Sequence, residues 1–178
     1  MLCAQGYHGT GIKAVLDQVQ VPKGSFYNYF ESKQDFGAEV IREYGRVLVG
    51  RLEETRDGAG ADPLGALRRH YRSAVESFRR DGTGSGCLLC NLAAELGGSA
   101  GACGRALADT LTEARRQLSA LLRLAQERGQ IRADVEAPAL ARGVQDAWNG
   151  ALIRMKAEGS VAPLEQFLAL HLDRLLRP

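Results

Sequence analysis

Long apolar runs are missing from this sequence: no stretch approaches the roughly 18 residues that a membrane-spanning helix needs, which argues against a membrane partner. The opening Met1-Leu2-Cys3-Ala4-Gln5-Gly6 lacks both the charged and the long apolar regions of a secretory signal, so a cytoplasmic location is expected. In that setting Cys3, Cys87, Cys90 and Cys103 are expected as thiols rather than as a disulfide framework. Strong charge is missing too. The net charge of +2 gives no argument for nucleic acid by itself, and any such argument must come from pattern. Sustained alternation of apolar and polar residues is absent, which excludes a sheet protein and leaves an all-α fold. The three histidines, His8, His70 and His171, are scattered. They offer no acid/base constellation, and with Cys103 no short metal-ligand spacing, so neither a catalytic residue, a metal nor a cofactor is expected.

What is present is a chain of breakers and helical stripes. Thr10 is placed to cap a short helix from Gly11 to about Gln18, with Ile12, Val15, Leu16 and Val19 on its buried side, while Gly6-Tyr7-His8-Gly9 reads as a turn. Ser32-Lys33-Gln34-Asp35 resembles a capping box and should open a long helix to about Glu54, striped by Phe36, Val40, Ile41, Tyr44, Val47 and Leu48. Asp62-Pro63 reads as a cap and first-turn proline for a helix to about Arg80. The glycine-rich stretch 81–86 then leads into Cys87-Leu88-Leu89-Cys90-Asn91-Leu92-Ala93-Ala94-Glu95-Leu96, a helix with almost no polar face. Gly97-Gly98-Ser99 breaks it, and a long helix follows to about Arg128. Helices over about Ala137 to Glu158 and Pro163 to Leu176 have apolar faces broad enough for a partner as well as a core.

Aromatics are scarce, yet Phe26, Tyr27, Tyr29 and Phe30 fall together in Pro22-Lys23-Gly24-Ser25-Phe26-Tyr27-Asn28-Tyr29-Phe30. Pro22 suits the first turn of a helix, and two short helices joined tightly make a helix-turn-helix candidate. Phe26 and Phe30, four apart, belong to a core; Tyr27 and Asn28 point elsewhere.

These residues carry a resemblance. Gly6-Tyr7, Thr10, Ile12, Val15-Leu16, Val21 to Tyr27, Tyr29-Phe30 and Ser32-Lys33 resemble the DNA-binding signature of the TetR family of bacterial repressors, and the helical remainder has the size of that family's ligand-binding and dimerisation domain. Gly82-Thr83-Gly84-Ser85-Gly86-Cys87-Leu88, Leu92-Ala93-Ala94-Glu95, Trp148-Asn149-Gly150-Ala151, Lys156 and Pro163-Leu164-Glu165 are similar to its NemR-like, electrophile-sensing branch. The resemblance implies a DNA-binding domain over 1–46 and an effector-binding and dimerisation domain over 47–178. Family members carry a longer first helix ahead of Gly6, so the chain is expected to be N-terminally truncated, with weakened DNA binding as given.

The expected partners are a palindromic double-stranded operator, a small-molecule effector and a second copy of the chain. Lys23 and Lys33 are expected on phosphates, with Thr10 and Ser25 hydroxyls as further donors and Gly24 leaving room for close approach. Tyr27 and Asn28 are the candidates for base or sugar contacts, and Tyr29 joins the interface by the resemblance. Cys87, after the glycine-rich loop and at a helix N-terminus, is a candidate low-pKa thiolate; Cys90 one turn on is a candidate resolving thiol, and the resemblance adds Lys156 as a nearby cation. Both cysteines read equally as small core hydrophobes. A reversible ligand would be lined by Tyr71, Phe78, Asn91, Trp148, Leu152 and Met155. Modification or ligand entry at Cys87 is expected to shift the helices between Asp62 and Leu96, tilt the Ser32 helix and change the spacing of two recognition helices set about 34 Å apart. A cysteine-dependent enzyme acting on electrophiles is the alternative of a different class.

Overall fold

A computed structural model of the chain describes residues 1–98 and 101–178, and all regular structure among them is helical. In chain order the helices are α1 (Leu2–Gly9), α2 (Ile12–Val19), α3 (Lys23–Tyr27), α4 (Lys33–Asp57), α5 (Pro63–Asp81), α6 (Leu88–Leu96), α7 (Ala102–Glu127), α8 (Ala137–Glu158) and α9 (Ala162–Phe167), the last running on as a π-helical stretch over Leu168–Leu175. The expected break at Gly97-Gly98-Ser99 falls partly outside the described residues, at Ser99.

Local chemistry explains most of the boundaries. Ser32 Oγ accepts the Asp35 N–H at 3.1 Å, and the Asp35 carboxylate reaches back past the cap to the Glu31 N–H at 3.3 Å, so a variant of the capping box starts α4. Asp62 accepts the Gly65 N–H at 2.8 Å with Pro63 in the first turn of α5. Thr10 departs from expectation. Gly11 is the N-cap of α2, without a side-chain bond, while the Thr10 hydroxyl donates to the Gly6 carbonyl at 2.7 Å. The segment read as a turn is the second half of α1, two helical pieces that meet at Gly6 with φ 71° and ψ 180°.

The chain forms two compact units, Met1–Arg46 with Cys87–Leu111, and Val47–Gly86 with Thr112–Pro178. α6 and the first part of α7 thus differ from a simple division at 46/47. They stand with the N-terminal unit because α6 packs along α1.

In the first unit Phe26 is buried, with ring centroids 5.1 Å from Phe30 and 5.5 Å from Phe36. Tyr7 is buried beside Gly37, where a Cβ would lie 2.9 Å from both the Tyr7 ring and Cys103 Sγ. The close approach of α4 there requires glycine. Leu16 is buried in α2, but Val19 is 58% exposed, contrary to its assignment to the buried side.

In the second unit Tyr71, Trp148 and Phe167 form a triangle of rings 4.7 to 5.1 Å apart, and His171 stacks on Phe167. Gln117, 1% exposed, donates to Glu53 at 2.9 Å and Glu113 at 2.7 Å and accepts from Arg56, so a buried amide ties three charged side chains together. Arg68 pairs with Asp173 at 2.7 Å. Ile153, Leu170 and Leu175 are 58%, 40% and 50% exposed, which leaves apolar surface on α8 and the π-helical stretch.

Candidate nucleic-acid interface and thiol site

The DNA-reading candidate is a short element. α3 spans only Lys23–Tyr27, with Pro22 extended before it, and Asn28 and Tyr29 continue as a turn through N–H bonds to Ser25 and Phe26 carbonyls. Phe26 anchors this element inward. Lys23, Gly24, Tyr27, Asn28 and Tyr29 are exposed, with Tyr27 at 52% and Tyr29 at 80%, and Ser25 is half-buried. Tyr27 meets the Phe26 ring edge-on at 5.2 Å, yet rings left this open keep a face available to a partner. Lys23 Nζ lies 5.9 Å from the Tyr27 ring centroid. Lys33, half-buried, holds its ammonium 4.5 Å from the Tyr7 centroid, a cation–π contact that fixes the start of α4. Thr10 does not fit the phosphate-donor role. It is 2% exposed and its hydroxyl proton is spent on Gly6.

The thiol site lies in the same unit. Cys87 is the N-cap of α6, 7% exposed, and Cys90 follows one turn later. The Cys90 thiol donates to Cys87, the Cys90 and Leu89 N–H groups add to it, and the Tyr44 hydroxyl approaches Sγ at 4.0 Å. Against these donors burial opposes charge, but the donors prevail and draw the Cys87 thiol down to about 6. Cys90, as donor to its neighbour and itself half-buried, is pushed up. The donor set therefore favours negative charge on Cys87 over Cys90. Tyr44, expected on the apolar stripe of α4, is 36% exposed, and its hydroxyl lies 4.0 Å from Cys87 Sγ. None of the four cysteines forms a disulfide, and among the described residues no cluster of His, Cys, Asp or Glu could hold a metal ion.

The remaining candidates divide between the units. Asn91, on α6, donates its side-chain amide to the Cys3 carbonyl at 3.1 Å in the first unit. Tyr71, Phe78, Trp148, Leu152 and Met155 belong to the second, where Tyr71, Leu152 and Met155 are buried and Phe78 and Trp148 half-buried. Lys156 is exposed in the last turn of α8. His70 is also in the second unit, held down to about 4 by burial and by the Arg51 charge, with Thr55 Oγ1 3.0 Å from Nδ1. Sequence reasoning missed Glu95, whose carboxylate accepts the Tyr7 and His8 N–H groups at 3.1 Å each. Only the unusual Gly6 preceding Tyr7 hints at it.

Comparison with known proteins fits this geometry. Residues 1–40 match the model of bacterial regulatory proteins of the tetR family, and residues 63–170 match the tetracyclin repressor-like C-terminal domain. The transcriptional regulator AcuR of Cereibacter sphaeroides is 36% identical over 93% of this chain and 76% of its own length. The repressor DhaR of a Mycobacterium species is 32% identical over 97% of this chain and 85% of its own. The repressor NemR of Escherichia coli is 31% identical over 94% of this chain and 85% of its own. The crystal structure of its reduced form superposes with a TM-score of 0.90, covering 98% of this chain and 90% of that one. Among the described residues no helix is long and apolar enough to cross a membrane. With a helix-turn-helix that exposes Lys23, Tyr27 and Tyr29 and an all-helical C-terminal part, the chain belongs to the TetR family and is a DNA-binding transcriptional regulator, not an enzyme.

Proposed function

We propose that the protein is a cytoplasmic, homodimeric repressor of the NemR-like branch, released from a palindromic operator when Cys87 reacts with an electrophile or an oxidant. The observation that carries this reading is the asymmetric thiol pair at the start of α6, Cys87 as acceptor and Cys90 as donor, inside the unit that also holds the helix-turn-helix. A thiolate adds to an activated double bond by forming an S–C bond, and the resulting carbanion takes a proton from water. With a peroxide, the Cys87 sulfur takes one oxygen and expels hydroxide. The Cys90 sulfur then displaces water from the sulfenic acid to close a disulfide.

Lys23 and Lys33 contact phosphates, Ser25 and Gly24 lie against the backbone, and Tyr27, Asn28 and Tyr29 reach bases and sugars. Residues 1–46 read DNA, and residues 47–178 supply effector binding and the dimer. Ile153, Leu170 and Leu175 support the dimer as apolar surface in need of cover.

A second reading, reversible binding of a small apolar effector, is favoured by the ring triangle in the second unit. Tyr71, Phe78, Trp148, Leu152 and Met155 would line such a site. Release of a Cys87→Ser variant by an aromatic effector would select it.

The direct test of the DNA assignment is a Lys23→Ala, Tyr27→Ala double variant in gel-shift titrations on the palindromic DNA upstream of the gene. Affinity should fall at least about tenfold, with a salt slope shallower by about 1. Unchanged retention of the fragment would remove α3 from the interface.

A further inference from the structure

Gly6 breaks α1 at φ 71° and ψ 180°, a region of backbone space that is essentially restricted to glycine. The break forces the next helical turn to start afresh at Tyr7, with N–H groups that have no preceding helical carbonyl to meet. A local Ser, Thr, Asp or Asn normally caps such a start. None stands there. The cap comes from α6, where Glu95 Oε1 accepts the Tyr7 N–H and Oε2 the His8 N–H, both at 3.1 Å. Any side chain at Gly6 would overlap the Glu95 carboxylate, so the glycine and the carboxylate fit one another.

The same stripe of α6 continues toward Cys87. Asn91, one turn before Glu95, donates to the Cys3 carbonyl at 3.1 Å on the other side of the Gly6 break. The Asn91 N–H in turn bonds the Cys87 carbonyl at 3.0 Å. Cys87, Asn91 and Glu95 thus lie at four-residue intervals down one side of α6, and the latter two grip the two pieces of α1. Tyr7, at the gripped turn, is buried under the Lys33 ammonium, which starts α4 directly after the DNA-reading segment. Thr10 closes the same turn by donating to Gly6.

We propose that Glu95 is the positioning residue that couples Cys87 to the helix-turn-helix: its carboxylate holds the Tyr7 turn in the operator-binding arrangement and lets go when α6 is displaced by a group added at Cys87. This rests on the reading of Cys87 as the reactive thiol. Two hydrogen bonds at 3.1 Å are already at the long side of the favourable range, and the 1–2 Å helix shifts typical of switching carry both beyond it.

The test uses Glu95→Gln in the full chain. Glu95 is exposed, and glutamine keeps its length, but an amide accepts at one oxygen and turns an NH2 group against the second N–H. A labelled palindromic fragment of the upstream DNA is titrated before and after N-ethylmaleimide, with labelling of Cys87 followed by mass spectrometry. In wild type, alkylation lowers affinity by a factor in the usual range for coupled sites, about 5- to 150-fold; in Glu95→Gln that factor shrinks at least about fivefold while Cys87 labels as before. A merely structural Glu95 would weaken treated and untreated protein alike and leave the factor intact, which overturns the proposal. Wild type that is alkylated at Cys87 yet keeps its operator overturns the Cys87 reading itself, a distinguishable result. Hydrogen exchange on wild type needs no variant: the Tyr7 and His8 amides should be protected before alkylation and exposed after it, and unchanged protection refutes the release.

Discussion

The pH profile of alkylation at Cys87 distinguishes the donor-held thiolate from an ordinary buried thiol. With its pKa drawn down to about 6, Cys87 is about 90% thiolate at pH 7, whereas a thiol near 8.5 is only about 3% thiolate. That advantage of about thirtyfold is mostly offset by weaker intrinsic nucleophilicity. With a Brønsted slope of about 0.45, a drop of about 2.5 in pKa slows each thiolate about 13-fold. The net gain at pH 7 is about twofold, and burial at 7% exposure slows the absolute rate further. At about pH 5.5 the same arithmetic leaves an advantage of about 20-fold, so acid is where the difference is read. Brief pulses of N-ethylmaleimide, resolved by peptide mass spectrometry, should give a rate that climbs through about pH 6 and levels by about pH 7.5. Cys90→Ala removes the strongest donor and moves the midpoint upward. A wild-type midpoint near 8.5, or one that Cys90→Ala leaves in place, would refute the donor geometry.

Three further outcomes follow from the packing and the charges. Phe26→Ala removes the ring between Phe30 and Phe36 and should lower stability by about 3–5 kcal/mol in urea denaturation, whereas a change below about 1 kcal/mol would show that the cluster is not a core. Gly6→Ala forces a side chain into a glycine-only conformation and against Glu95, costing about 1–3 kcal/mol; an unshifted urea midpoint would contradict the break. Glu113 is held down to about 2, chiefly by its bonds from Arg116 and then Gln117. Its folded pKa lies below the unfolded one. The stability it adds is therefore full above about pH 4.3 and lost as pH falls toward about 2, and a Glu113→Gln variant should lose that part of the acid dependence. Because the carboxylate is 38% exposed, the effect is small and weakens with salt.

What the sequence made legible was chemistry that acts within a few residues. Ser32 with Asp35, and Asp62 with Pro63, start their helices as their spacing predicts, since a cap needs only its own first turn. Phe26 and Phe30 were separable from Tyr27 because four-residue spacing sets a shared face. Periodicity says which residues share a side but not whether that side is covered, and Val19 and Val47, 58% and 49% exposed, show the gap. Thr10 went astray because its partner is the Gly6 carbonyl, available only after the chain turns there. Glu95 was hidden for a related reason. It caps a helical turn 88 residues away, and nothing local marks a carboxylate on an apolar helix as a cap. Gln117 likewise looks like a surface residue until two distant charged groups, Glu53 and Arg56, join its helical neighbour Glu113 around it.

The most direct measurement is fluorescence anisotropy of a labelled palindromic fragment of the upstream DNA, titrated with wild type and with Cys87→Ser, each with and without N-ethylmaleimide. Both untreated proteins should bind alike, alkylated wild type should let go, and treated Cys87→Ser should hold on. Equal release of both proteins, or equal retention, would contradict a repressor switched at Cys87.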